Sequence, residues 1–357
     1  MKHPAEISWF SALCDDDYEF LGVPDPALAS SLAHCRDIVM RAEKGGFDNI
    51  LLPSGYALGI DSLAFAGAVA PLLKHMQLLV AVRCAEMWPP QLARQLATLD
   101  HMLHGRLTVN IISSDLPGET LESSPRYRRT LEVMEILRTL LSGHHLSHKG
   151  EFYDLELDPP RIAHPHDRLP PFYFGGLSDD AREVAAKAAD VFLMWPDRIE
   201  NIRTVLDDMR RRASSHGRLL RFGYRVHVIV RETEAEARAA ARRLMSRLDD
   251  ATGEEIRKKS LDASSFGVRR QAEMRDEADE EGFVEDNLWT GIGRARSGCG
   301  AAIVGDPDQV LKKIETYRSL GLDAFIFSGY PHAEECDLFA RYVLPKLDHA
   351  PLFSRGH

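Results

Sequence analysis

The chain has 357 residues, 44% hydrophobic, 27% charged and 8% aromatic, a globular composition long enough for one large α/β domain or two smaller ones. Its net charge of -10 excludes a dedicated nucleic-acid binder, and no run approaches the roughly 18 apolar residues of a membrane span. The start MKHPAEISWF lacks the apolar stretch of a secretory signal, and Cys14, Cys35, Cys84, Cys299 and Cys336 show no CxxC spacing. Dispersed thiols of this kind are expected to be reduced, in a cytoplasmic protein.

In chain order, Ile7 to Phe10 reads as a first strand. Ala27 to Lys44 is helical by pattern and is stopped by Gly45-Gly46. Asn49 to Leu52 is a second strand, ending in Pro53-Ser54-Gly55. Ser62 to Lys74 is helix, Gln77 to Val82 strand, and Pro89-Pro90 opens a helix to about Leu103. Leu107 to Ile112 is strand, Pro125 to Leu141 helix, and Glu151 to Leu157 an added β excursion. The rhythm repeats with strand Phe172 to Phe174, helix Asp179 to Ala189, strand Val191 to Met194 and helix Arg198 to His216. After the strand at Arg221 come helix Glu234 to Leu248, helix Asp308 to Arg318, strand Ala324 to Phe327 and helix Glu334 to Leu344.

Short apolar strands alternating with helices predict parallel strands with helical crossovers. EKGGFDNILLP, AKAADVFLMWP and RSLGLDAFIFSGY repeat one βα pattern, which favours a closed (β/α)8 TIM barrel over a doubly wound sheet. We therefore expect one domain over residues 1–357. The charged stretch Asp249 to Gly298 breaks the rhythm and is expected to be a lid-like insertion, with Gly291, Gly293, Gly298 and Gly300 as hinges.

The strand RFGYRVHVIVRET carries the most unusual pattern. One face holds Phe222, Tyr224, Val226, Val228 and Val230; the other holds Gly223, Arg225, His227 and Ile229. If both faces are enclosed, a guanidinium and an imidazole lie side by side out of water, and such a pair needs an anionic partner. An ordinary amphipathic strand with a solvated polar face is the alternative.

In a (β/α)8 barrel the site lies at the C-terminal ends of the strands. Those ends carry Ser54, Arg83, Ser113, Ser114, Gly175, Gly176, Trp195, Arg225, His227, Tyr330 and His332. Cations, hydroxyls and aromatics suit an anionic ligand. The set has no inward carboxylate cluster, so neither a glycosidase pair nor a metal site is expected. Phe174-Gly175-Gly176-Leu177-Ser178 runs into a helix N-terminus and offers backbone N–H groups to a phosphate. Gly-Gly turns also occur for steric reasons alone, and Trp195 could equally be packing.

RFGYRVHVIVRET, YFGGLSD, FLMWPD, NLWTGIGRARSG, AIVGDPDQV and FIFSGYPHAEE together resemble the alkanesulfonate monooxygenases of the bacterial luciferase-like superfamily, over nearly the whole chain. The resemblance implies a TIM barrel and reduced FMN supplied by a separate NAD(P)H-dependent flavin reductase. It also implies O2 as co-substrate, cleavage of a sulfonate C–S bond to an aldehyde and sulfite, and a homo-oligomer (dimer or tetramer). By the same resemblance, Trp195, Arg225, His227, Tyr330 and His332 surround the sulfonate and the flavin, and Arg296 is the lid arginine. Tyr127, Gly176 and Ser178 match the family's FMN-phosphate site, although the paired serines of its turn are here Leu177-Ser178; we expect the isoalloxazine to lie toward Ser54, Ser113 and Trp195.

The departures lie on the tail side of the pocket. PSGYALGID lacks the family's Cys, WFSALCDDDYEFLG has Cys14 and three consecutive acids where a His is usual, and RCAEMWPPQ is bulkier. The reaction type is expected to be kept with a substrate other than a short alkanesulfonate. Acidic groups at the mouth could bind hydroxyls, so a sulfosugar such as sulfoquinovose is the alternative substrate, and a sulfone a further one. A non-catalytic flavin-binding barrel is the competing class; a hydrolase would need a metal or an activated nucleophile that the sequence does not show.

Overall fold

The computed structural model describes residues 3–56, 59–162, 169–258, 265–296 and 298–353. Ala57 and Leu58 of the PSGYALGID stretch, and 259–264 and 297 of the insertion, lie outside the described residues. The strands are β1 (Glu6–Phe10), β2 (Asn49–Leu52), β3 (Gln77–Arg83), β4 (Leu107–Ile112), β5 (Leu146–Lys149), β6 (Asp154–Leu157), β7 (Phe172–Phe174), β8 (Val191–Met194), β9 (Arg221–Val230), β10 (Phe283–Glu285), β11 (Leu288–Trp289), β12 (Ala302–Gly305) and β13 (Ala324–Ser328). The helices are α1 (Leu32–Gly45), α2 (Ser62–Val69), α3 (Pro89–Met102), α4 (Ser123–Leu141), α5 (Asp179–Ala188), α6 (Ile199–Ser215), α7 (Glu234–Met245), α8 (Asp250–Lys258), α9 (Phe266–Asp276), α10 (Pro307–Leu320) and α11 (His332–Tyr342).

Eight parallel strands close in the order β1-β2-β3-β4-β7-β8-β9-β13, with β13 returning to β1. This is the expected (β/α)8 barrel, and the period-2 pattern of each strand explains it. Ile7, Trp9, Ile50, Leu78, Val80, Phe172, Phe192, Tyr224 and Val226 point outward into the layer shared with the helices. Phe10, Leu51, Leu79, Ala81, Tyr173, Val191, Ala324 and Ile326 fill the interior. Below them, toward the N-terminal end, lies a buried polar floor of Glu6, Asn49, Gln77 and Thr108. The C-terminal residues close that end: Leu352 N–H donates to Glu6 Oε2 at 3.1 Å and Gln77 Nε2 donates to Phe353 O at 3.0 Å.

Helix starts follow capping more closely than apolar periodicity does. The helix expected from Ala27 begins at Leu32, because Ser31 is extended and its hydroxyl accepts from His34 N–H. Asp25 and Pro26 instead hold a short 3-10 turn ahead of it. The β excursion is an antiparallel hairpin of β5 and β6.

β9 is the long strand, and its length organises the top of the barrel. Its first four residues pair with β8, which then ends at Met194. The edge thereby freed pairs from His227 to Val230 with β12, a strand the periodicity did not reveal. The hairpin β10-β11 pairs antiparallel onto β12. Among the described residues between α7 and β12, α8, α9 and the hairpin form regular structure, and the hairpin is tied through β12 to the C-terminal half of β9.

Candidate active site

The polar face of β9 points into the barrel and is enclosed, which excludes a solvated strand face. Arg225 is buried, its guanidinium 4.2 Å from the centroid of the Phe10 ring. Neither Nη1 nor Nη2 has a hydrogen-bond partner among the described residues. Burial pushes its pKa down to about 10, and Arg296 adds to the effect. A cation kept at that cost is a strong site for an anion.

His227, two residues on, has both ring nitrogens engaged. Its Nε2 lies 3.2 Å from the Cys299 carbonyl, which can only accept, so Nε2 carries the proton. Nδ1 then accepts from the Ser328 hydroxyl at 2.6 Å. Burial, followed by Arg225 and Arg296, holds the imidazole neutral, well below its usual titration range.

Tyr330 and His332 follow β13 and complete the wall. The Tyr330 ring stacks on His227 with centroids 5.4 Å apart. Arg296 donates through Nη1 to the Tyr330 hydroxyl and lies with Nη2 3.9 Å from Cys14 Sγ. Burial opposes the charge on Arg296, and the Asp15 carboxylate near it supports that charge. Burial keeps Tyr330 and Cys14 protonated, so the Asp15 carboxylate is the compensating charge. His332 Nδ1 lies 2.8 Å from Asp17 Oδ1, and the His332 backbone N–H donates to both Asp17 oxygens at 3.1 and 2.9 Å.

The second group of expected residues gathers near the β7–α5 turn. A Cβ on Gly175 would come within 2.3 Å of Leu193 O, and one on Gly176 within 2.6 Å of the Ala181 Cβ, so the turn is closed to other side chains. The Gly176 site is also 3.4 Å from the Tyr127 hydroxyl, which brings α4 and this turn together. Ser178 caps α5, accepting from Ala181 N–H at 3.3 Å, and Leu177 is half-buried beside it. Asp179, in the first turn, is neutralised by Arg212 at 2.6 Å. Arg126 Nε, beside Tyr127, is buried without a hydrogen-bond partner among the described residues. Bare backbone, a phenol and a spare arginine N–H fit a phosphate.

Between the two groups, Arg83 donates to Ser114 Oγ and, at 3.0 Å, to Ser54 O. Ser113 Oγ accepts from the Thr130 hydroxyl at 2.9 Å. Trp195 is covered by the insertion: a Cβ on Gly267 would reach its ring at 2.9 Å and one on Gly298 at 3.1 Å. Those two glycines let α9 and the Arg296 segment seat on the indole.

Three residues of this site escaped the sequence reading. Ser328 and Cys299 act on His227 through a hydroxyl and a backbone carbonyl, for which residue type gives no signal. Asp17 left one, as the last of three consecutive acids after β1. Among the described residues no His, Cys, Asp or Glu group could hold a metal, and no helix is long and apolar enough to cross a membrane.

The chain is 66% identical to the sulfoquinovose monooxygenase of Novosphingobium aromaticivorans, over 97% of this chain and 98% of that one. It is 51% identical to the sulfoquinovose monooxygenase of Agrobacterium fabrum, over 96% of this chain and 90% of that one. In structure it is similar to a riboflavin lyase solved with modified FMN and riboflavin, with a TM-score of 0.79 at 15% identity, covering 98% of this chain and 94% of that one. At that identity the likeness speaks for the fold. The luciferase-like monooxygenase pattern matches residues 20–324, and the chain belongs to the luciferase-like monooxygenase family.

Proposed function

We propose that the protein is an FMNH2-dependent sulfoquinovose monooxygenase, which releases sulfite from the sulfosugar with O2. The observation that carries this reading is the buried Arg225 guanidinium with two unpartnered nitrogens, faced by Arg296, Tyr330 and His332. The names of the two relatives favour the sulfosugar over a general alkanesulfonate or a sulfone.

Reduced FMN, when bound, supplies the activation of O2. The chain's own residues do the rest. Tyr127, Gly176, Ser178 and Arg126 would hold its phosphate, with Leu177 beside them, and Ser54, Ser113 and Trp195 would border the ring. Arg225 and Arg296 hold the sulfonate by charge-assisted hydrogen bonds. Arg225, His227, Tyr330, His332 and Arg296 form the catalytic set, and the insertion over Trp195 excludes water as a lid. Asp15 and Glu86, whose carboxyls burial pushes up, are good acceptors for sugar hydroxyls at the mouth. A barrel that only bound flavin would need no buried unpaired arginine. A separate NAD(P)H-dependent reductase, a homo-oligomer and cytoplasmic residence complete the reading; five free thiols support the last.

The test is a sulfite-release screen with reduced FMN and O2 over sulfoquinovose, short alkanesulfonates and dialkyl sulfones. Sulfoquinovose should give the highest kcat/KM. Preference for ethanesulfonate or a sulfone would sink the substrate assignment, and sulfite release without reduced flavin would sink the cofactor.

A further inference from the structure

The two imidazoles of the pocket are held in opposite ways. His227 has both nitrogens tied to Cys299 and Ser328. His332 has one tied and one free. Asp17 is fully buried in the loop after β1, and its carboxylate can only accept. It receives the His332 backbone N–H and Nδ1, and the His34 Nε2 at 3.0 Å. Nδ1 of His332 therefore carries the proton. The ring is clamped further: the Phe10 ring stacks on it at 5.7 Å, and the His332 carbonyl accepts from Trp9 Nε1 at 3.1 Å. Nε2 is left buried, unprotonated and without a partner among the described residues, edge-on to Tyr330 at 4.9 Å between ring centroids.

We infer that Asp17 is a positioning residue that fixes His332 in its Nδ1–H tautomer, making His332 Nε2 the proton acceptor of the pocket. A carboxylate behind an imidazole fixes both ring orientation and tautomer, and it stabilises the imidazolium once a proton arrives. The kinetic consequence rests on the sulfonate-cleaving reading; the tautomer does not. In that reading oxygenation leaves a hydroxyl on the sulfonate-bearing carbon. The O–H proton moves to Nε2, the C=O bond forms, and the C–S bond breaks with its electron pair leaving on sulfur as sulfite. No further oxidant is consumed.

Charged and titratable groups face His332 from every side. Asp17 comes from the β1 loop, Arg225 and His227 from β9, Arg296 from the insertion and Tyr330 from the end of β13, while His34 of α1 meets the far side of Asp17. Burial, helped by Arg296 and Arg225, outweighs Asp17 and keeps the resting ring neutral. It can therefore accept a proton at neutral pH.

The experiment has two arms. In flavin-free protein labelled with 15N-histidine, long-range proton–nitrogen spectra assigned with His332→Gln should show Nδ1 protonated and Nε2 bare. Protonated Nε2 overturns the inference, whether or not any variant folds. In Asp17→Asn the Nε2–H form should appear. Its kcat for sulfite release should fall about 10–100-fold, with the acid limb of the kcat–pH profile displaced and KM and flavin affinity nearly unchanged. An unchanged tautomer, or a wild-type pH profile, overturns the positioning role. Absence of sulfite from wild-type enzyme with every sulfonate would fail the functional reading instead, leaving the spectroscopic arm intact.

Discussion

Arg296, carried by the insertion, donates a hydrogen bond to the hydroxyl of Tyr330, which follows β13 on the barrel itself. This contact couples the covering segment to the pocket wall. Arg296→Ala should lower sulfite turnover while leaving reduced-flavin affinity near wild type, and more of the oxygen consumed should appear as hydrogen peroxide. Coupled assays of sulfite and peroxide check this. Full sulfite yield without excess peroxide would show that the arginine is not part of the closure.

Among the described residues the buried Arg225 guanidinium has no hydrogen-bond partner on Nη1 or Nη2, so an incoming anion is its natural counter-charge. Arg225→Ala should reduce kcat/KM for the sulfonate by about 100-fold or more, the scale of removing one preorganised donor. FMNH2 should still bind. Arg225→Lys should recover only part of the loss, because an ammonium lacks the planar fork. Wild-type kinetics in the alanine variant would make this face of β9 structural.

At the other end, Tyr127→Phe with Ser178→Ala should weaken reduced-FMN binding by about 1–3 kcal/mol. Ser178 also caps α5, so its loss alone should cost about 1 kcal/mol of stability. Gly176→Ala should be worse for both, since its Cβ would lie 2.6 Å from that of Ala181. Fluorescence titration and thermal unfolding, run on the same samples, separate affinity from stability. Unchanged affinity in the double variant would remove these residues from the phosphate site.

The barrel floor carries a pH dependence of its own. Burial raises the Glu6 carboxyl above its ordinary value, although Leu352 N–H, the Tyr173 hydroxyl and Asn49 pull it down and Asp48 adds repulsion. An acid with a raised folded-state pKa binds its proton more tightly when folded. It therefore lowers stability as pH rises from the ordinary carboxylate range, about 4.3, through the folded-state value. Glu6→Gln should flatten that decline in denaturant titrations across the window. An unchanged slope would show that Glu6 is ionised in both states.

Much of this architecture was legible in the sequence because a strand's period is short and rigid. The alternation along β9 put Val226 and Arg225 on opposite faces in the residues alone, and the fold sends the first to the helix layer and buries the second. What the sequence hid depends on distant partners. β12 is only four residues long and forms on the edge that β8 leaves free. The Cys299 carbonyl reaches His227 because that pairing brings it there. Asp17 and His332 are 315 positions apart and meet only when β13 closes on β1. The acids after β1 marked a changed pocket, but periodicity cannot say which of them turns inward.

The most direct measurement is a single turnover with pre-reduced FMN, sulfoquinovose and O2, which bypasses any reductase. The account predicts one sulfite per flavin oxidised by wild-type enzyme, and flavin oxidation with little sulfite in Arg225→Ala. Flavin oxidation without sulfite in the wild type, or equal sulfite from both proteins, would contradict it.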